Sequence, residues 1–212
     1  MIDVIPGIGI TEKTIAEVRQ KVADVSQFVS WVQIDFSDGT LIPNKTVTDM
    51  GELKSLIADF PNLSFEAHLM VNNPEKYVRD LSLAGFKRLV AHVEANDIRL
   101  FLDEAEYESV EVGVALDGPT EFDQIEPLLD HADFILIMTV EMGESGRPFL
   151  PETVEKIKTI HENLPDLPIE VDGGMNEQTA KLVKDSGATR IVTTSYIFKN
   201  PGMIAQAVKS LL

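Results

Sequence analysis

The sequence predicts one α/β domain, a (β/α)8 TIM barrel running through residues 1–212, and three observations lead there. Short β-branched runs alternate with amphipathic stretches along the whole chain. They form eight strand–helix units of roughly 26 residues, a compact version of the usual barrel repeat. Several runs, such as Phe134-Ile135-Leu136-Ile137-Met138 and Val112-Gly113-Val114-Ala115-Leu116, are almost continuously apolar, as in parallel strands covered by helices. A doubly wound open sheet is the competing architecture, but eight regular repeats exceed its usual strand count.

In chain order the expected strands cover 3–8, 31–36, 64–71, 88–93, 111–116, 132–140, 168–171 and 190–197. The helices between them carry start and stop signals. Thr11 precedes the apolar spacing of Ile15, Val18 and Val22, with Glu12 placed early against the helix dipole. Asn73-Pro74-Glu75 puts proline at a first helical position, Pro151-Glu152 opens a helix carrying Val154, Ile157 and Ile160, and Asn200-Pro201 opens the last. Gly85 and Gly187 each follow a helical run, where a left-handed cap is expected.

Composition narrows the function classes. There are no cysteines, which removes disulfides, thiolate nucleophiles and thiolate metal sites together. No stretch approaches the ~20 apolar residues of a membrane helix, and the start Met1-Ile2-Asp3-Val4-Ile5-Pro6 lacks a signal-peptide pattern, so a cytoplasmic location is expected. The net charge of −17, with no offsetting basic cluster, argues against nucleic-acid and membrane partners. It also requires any phosphate site to be locally favourable. A homo-oligomer is left open.

In a barrel of this class the loops after the strands carry the chemistry. Alternation along the second strand puts Gln33, Asp35 and Ser37 on one face, with Ile34 and Phe36 on the other. If the apolar face meets the helices, Asp35 points inward, where a carboxylate must be paired, metal-bound or functional. Glu66, His68 and Met70 share a face of the third strand. His92 and Glu94 end the fourth, which has no clear inward face. Glu170 and Asp172 share a face of the seventh, followed by Gly173 and Gly174, which allow close backbone approach to a ligand, and by Asn176 as a helix cap. Asp35, His68 and Asp172 together form an oxygen-and-imidazole set suited to a divalent metal. The loop Glu141-Met142-Gly143-Glu144-Ser145-Gly146-Arg147 is long for its place and reads as a lid or binding segment, while Thr193-Thr194-Ser195 closes the eighth strand, where phosphate commonly binds.

These pieces, in this order, resemble the ribulose-phosphate 3-epimerase family over nearly the whole chain. The family's HxDxMDGxFVPN segment is similar to Gln33-Ile34-Asp35-Phe36-Ser37-Asp38-Gly39-Thr40-Leu41-Ile42-Pro43-Asn44. Its HLMVxxP segment is similar to His68-Leu69-Met70-Val71-Asn72-Asn73-Pro74. His92-Val93-Glu94-Ala95, Gly113-Val114-Ala115-Leu116, Met138-Thr139-Val140 and Val171-Asp172-Gly173-Gly174 continue the resemblance.

The resemblance implies a sugar-phosphate substrate and two aspartates, Asp35 and Asp172, that move the proton beside its carbonyl. It implies a divalent metal, zinc-like with iron or manganese open, held by Gln33, Asp35, His68 and Asp172. It places Met70 and Met138 beside the reacting carbon, and Gly143, Gly146, Arg147, Gly173, Gly174, Thr194 and Ser195 around the substrate. Departures from the family pattern accompany it. Gln33 replaces a metal-binding histidine and so weakens metal binding, Ser37 replaces a methionine, and Ile10 replaces a serine that touches substrate. In the phosphate loop Glu141 and Glu144 would repel a dianion that Arg147 attracts. Two other readings stand beside it: a diverged, non-catalytic barrel binding a sugar-like ligand, and a lyase of the orotidine-decarboxylase-like barrels. The lyase reading is disfavoured because its DxKxxD lysine would fall on Ser37.

Overall fold

The computed structural model describes residues 2–143 and 146–212. Among them, parallel strands β1 (Asp3–Ile8), β2 (Trp31–Phe36), β3 (Ser64–Leu69), β4 (Arg88–His92), β5 (Glu111–Leu116), β6 (Phe134–Met138), β7 (Ile169–Asp172) and β8 (Arg190–Thr193) pair in sequence order. Pairing of β1 with β8, from Asp3 opposite Arg190 to Pro6 opposite Thr193, closes the cylinder and removes the open-sheet alternative. No helix among the described residues is long and apolar enough to cross a membrane.

Strand alternation sorts the side chains between two layers. Ile34, Phe36, Ala67, Leu69, Val114 and Ile135 face outward into one apolar layer, shared with helix residues such as Val22, Leu56, Leu81 and Ile160. Inside the barrel a smaller apolar cluster of Val90, Ala115, Phe134, Leu136, Met138 and Val140 fills one side. Gly113 is required there, because a Cβ at that position would lie 2.5 Å from the Phe134 ring.

The helices are α1 (Ile15–Val25), α2 (Met50–Asp59), α3 (Val78–Ala84), α4 (Ile98–Glu108), α5 (Thr153–Asn163), α6 (Glu177–Asp185), α7 (Ser195–Phe198) and α8 (Ile204–Leu211). Four expectations are corrected. The connection from β5 to β6 carries no α-helix but 3-10 turns at Phe122–Gln124 and Glu126–His131, since Pro127 has no N–H to give to an α-helical ladder. The chain after β8 leaves the sheet at Thr193 and turns into α7, rather than extending to residue 197 as strand. Helix α1 is capped by Thr14, in a reciprocal box with Glu17, not by Thr11.

Glu12, expected to serve the helix dipole, is instead buried and ties the first βα loop together. It accepts the Gly9 N–H at 2.7 Å and the Thr11 hydroxyl, and it pairs with Lys21 at 2.5 Å. Burial opposes its charge, but Lys21, Thr11 and Gly9 outweigh it and hold the carboxyl below its ordinary 4.5. A depressed carboxyl stabilises fully above its unfolded value and loses that contribution as pH falls through the folded one. Glu12→Gln is therefore expected to cost about 1–3 kcal/mol at pH 7. Urea unfolding of the two proteins should show the gap narrowing as the pH is taken well below 4.5.

Candidate active site

At the C-terminal end of the barrel, Asp35 of β2 lies directly across from His68 of β3, and Asp172 of β7 reaches the same point from the far wall. His68 Nδ1 is 3.4 Å from Asp35 Oδ1 and 3.8 Å from Asp172 Oδ2. One donor atom from each of the three residues falls within 4.8 Å of the others. His68 is fully buried and Asp35 is 6% exposed, so this charge is crowded where water cannot dilute it.

The crowding shifts the protonation of His68 and Asp172. Burial and the adjacent Asp35 charge push the Asp172 carboxyl up to about 7, against the pull of His68. Burial works against a charged His68, but Asp35, Asp172 and Glu66 outweigh it and raise the imidazole above its ordinary value. Two carboxyl groups on either side of one position, one of them able to hold a proton near neutral pH, can give and take a proton in turn.

A divalent cation fits this arrangement. His68 Nδ1 faces the two carboxylates and makes no hydrogen bond that would occupy it. Such an imidazole-and-carboxylate set is borderline to hard and suits zinc, iron or manganese.

Gln33 lies one inward step lower on β2. Its Nε2 donates to Glu66 Oε1 at 2.7 Å and Glu170 Oε1 at 3.3 Å, and its Oε1 is buried without a hydrogen-bond partner. The two buried carboxyl groups decide which end of the amide faces them, because only the NH2 end can donate. Burial and the Glu66 charge raise Glu170 well above the usual carboxylate range. Beneath lies an ionic floor: Arg88 pairs with Glu111 at 2.7 Å and stacks on Trp31, and Arg190 meets Glu111 at 2.9 Å.

Above the acidic cluster opens a cleft that is partly open to solvent. Ile10, Met70, Met138, Val140 and Met175 form its apolar wall; Asp35, Asp172, Gly143, Gly146, Arg147, Gly173, Gly174, Thr193, Thr194 and Ser195 form the rest. Of the sequence-derived candidates, Gln33 and the fully buried His68 are not among the lining residues. Gly173 has φ +107°, and a Cβ there would come within 2.5 Å of Val140, so backbone alone can occupy this part of the rim. The Thr139 hydroxyl ties down the Gly173 carbonyl at 2.6 Å, and the Thr194 hydroxyl donates to the Gly7 carbonyl at 2.9 Å.

In the loop after β6, Asn44 Nδ2 donates to the Gly143 carbonyl at 2.6 Å, and Asp117 Oδ1 accepts the Met142 N–H at 2.7 Å. The Arg147 guanidinium pairs with Glu141 at 2.8 Å. Glu144 and Ser145 lie outside the described residues. At the position where a lyase of the DxKxxD type carries lysine, the buried Ser37 hydroxyl donates to the Asn44 carbonyl at 2.8 Å.

Sequence reasoning left His92 and Glu94 undecided. Both lie behind His68: the two Nε2 atoms of His68 and His92 are 2.7 Å apart, and Glu94 Oε2 lies 3.2 Å from His92 Nδ1. Burial lowers His92. Despite its own burial, Glu94 is held at about 2 by His92, Thr120 and the Asp117 N–H. The pairing of β4 with β3 turns His92 inward, a signal that no single strand carries.

The sequence profile of the ribulose-phosphate 3-epimerase family matches residues 7–198. The cytoplasmic isoform of ribulose-phosphate 3-epimerase from Oryza sativa subsp. japonica is 31% identical over 186 residues, covering 84% of this chain and 81% of its own. The Bacillus subtilis ribulose-phosphate 3-epimerase is 32% identical over 173 residues, 79% of each chain. Among solved structures, 3-keto-L-gulonate-6-phosphate decarboxylase from Vibrio cholerae superposes with a TM-score of 0.77 at 11% identity, covering 99% of this chain and 95% of that one. At that identity the likeness speaks for the fold alone. Fold, cluster and sequence relatives agree, and the chain belongs to the ribulose-phosphate 3-epimerase family.

Proposed function

We propose that this protein is a carbohydrate epimerase that inverts the carbon beside the carbonyl of a ketose phosphate of the ribulose 5-phosphate and xylulose 5-phosphate type. The observation that carries the reading is the pair Asp35 and Asp172, converging on His68 from opposite walls. One carboxylate takes the proton from C3, and the electron pair of the broken C–H bond moves toward the carbonyl oxygen to form an enediolate. The other carboxyl, protonated, delivers its proton to the opposite face of C3. The product has inverted configuration, and each aspartate ends in the protonation state the other began with.

Asp35, His68 and Asp172, with the Gln33 amide oxygen as a further donor, would hold a divalent cation. That cation supplies Lewis-acid polarisation of the carbonyl when bound. An amide oxygen where an imidazole would bind zinc more strongly weakens the hold on zinc, and manganese and iron accept such oxygen-rich sets. Met70 and Met138 pack beside the reacting carbon and keep water off it. Gly173, Gly174, Gly143, Gly146, Thr194 and Ser195 offer backbone and hydroxyl groups to the phosphate, and Arg147 offers its charge. Ile10, at the same cavity, turns an apolar surface to the sugar and disfavours a hydroxyl there.

The test is proton exchange with solvent. Ribulose 5-phosphate incubated with the protein in deuterated water, with zinc, manganese or iron(II) supplied, should gain deuterium at C3 as xylulose 5-phosphate forms. A sugar that stays unlabelled under every metal would return the protein to the reading of a binding barrel without turnover.

A further inference from the structure

His68 offers Nδ1 to a metal ion only if that atom carries no proton, and the residues behind it bear on this. The His68 and His92 rings lie edge to edge, inclined by 25° with centroids 5.0 Å apart, and their Nε2 atoms meet at 2.7 Å. Only one proton fits in that contact. On the far side of His92, Glu94 Oε2 lies 3.2 Å from Nδ1. The other oxygen, Oε1, accepts the Asp117 N–H at 2.9 Å and the Thr120 hydroxyl at 2.5 Å, which anchors Glu94 to the connection after β5.

A carboxylate accepts and cannot donate, so the His92 proton toward Glu94 sits on Nδ1. His92 is fully buried, and a neutral ring there must leave Nε2 bare. The proton in the short contact then belongs to His68 Nε2. His68 Nδ1 is then the nitrogen that faces Asp35 and Asp172 and, once it gives up its proton, the one with a lone pair for a metal. The opposite assignment makes His92 a buried cation and forces a proton onto His68 Nδ1, where no lone pair would remain for a metal.

We propose that Glu94 and His92 are positioning residues that set the His68 tautomer, so that Nδ1 is the atom presented to a metal ion. The inference rests on the metal reading of the Asp35–His68–Asp172 site. Ligand histidines are commonly oriented in this way through their second nitrogen, and loss of such a partner weakens metal binding about 10–100-fold.

Two measurements test it on the full chain. Long-range proton–nitrogen spectra of imidazole-labelled protein report which ring nitrogens carry protons, with and without zinc. His92 should show a protonated Nδ1 and a bare Nε2 in both states, and zinc should displace a proton only from, or bind only at, His68 Nδ1. Separately, zinc affinity is read by competition with a chromophoric chelator. His92→Leu, which cannot accept a hydrogen bond, should bind zinc about 10–100-fold more weakly, whereas His92→Gln, whose amide oxygen reaches the place of Nε2, should stay near the parent value.

Protonated His92 Nε2 with bare His68 Nε2, or His92→Leu binding zinc as tightly as the parent, would overturn the proposal. If His92→Leu does not fold, the spectra of the parent still decide the tautomers. A parent that shows the expected tautomers but binds no zinc would support the imidazole chain and overturn the metal reading instead.

Discussion

Asp172→Asn is expected to lower turnover about 10²–10⁴-fold while leaving the metal-free protein at least as heat-stable as its parent. The amide is nearly the same size as the carboxyl and fits the same end of β7, but it can neither take nor give the proton at C3. The stability half of the result follows from crowding. Asp172 faces Asp35 across His68, and burial together with that like charge already pushes its carboxyl up to about 7. Removing one of two mutually repelling groups relieves a cost that the fold bears for function.

Loss of turnover with a raised or unchanged melting temperature would separate a chemical role from a structural one. Loss of both together would instead mark Asp172 as part of the barrel's support, and full activity in the variant would remove it from the mechanism. Solvent exchange should survive in part where net turnover is lost. If each aspartate serves its own face of the sugar, the variant should still wash deuterium into one epimer faster than into the other.

The two aspartates could be located from the sequence because strand alternation is a local signal. Ile34 and Phe36 must meet helices, so Gln33 and Asp35 turn inward, and β2 and β3 pair from Trp31–Ser64 to Phe36–Leu69 with Asp35 opposite His68. The start of α1 is equally local, since Thr14 and Glu17 carry the T-x-x-E spacing of a capping box and Thr11 does not. The β5–β6 connection fooled the repeat count because apolar residues such as Phe122, Ile125, Leu128 and Leu129 mimic a helical face, while Pro127 prevents the ladder. His92 was beyond local reach. Leu89 and Ala91 on one face of β4 are no more apolar than Val90 on the other, and only the ladder with β3 turns the imidazole inward. The orientation of the Gln33 amide was less accessible still, since its two partners lie 33 and 137 residues away along the chain.

That amide makes Gln33→His the more informative of the remaining substitutions, because metal affinity and intrinsic stability should move in opposite directions. An imidazole in place of the amide oxygen should tighten zinc binding by about ten- to a hundredfold, the range over which a single ligand contact tunes such sites. The same exchange removes the Nε2 hydrogen bonds to Glu66 and Glu170, deep in the barrel. Leaving those carboxyl oxygens without their donor should cost the metal-free protein about 1–3 kcal/mol. For a chain of this size each kcal/mol corresponds to about 2–4 °C in melting temperature. Zinc at a hundred times its dissociation constant returns about 2.7 kcal/mol to whichever protein binds it. Metal-free Gln33→His should therefore melt below the parent, and at a zinc concentration that saturates only the variant it should recover most of the loss. A variant that binds zinc no better than the parent would remove position 33 from the metal shell and leave Gln33 as the clasp over Glu66 and Glu170.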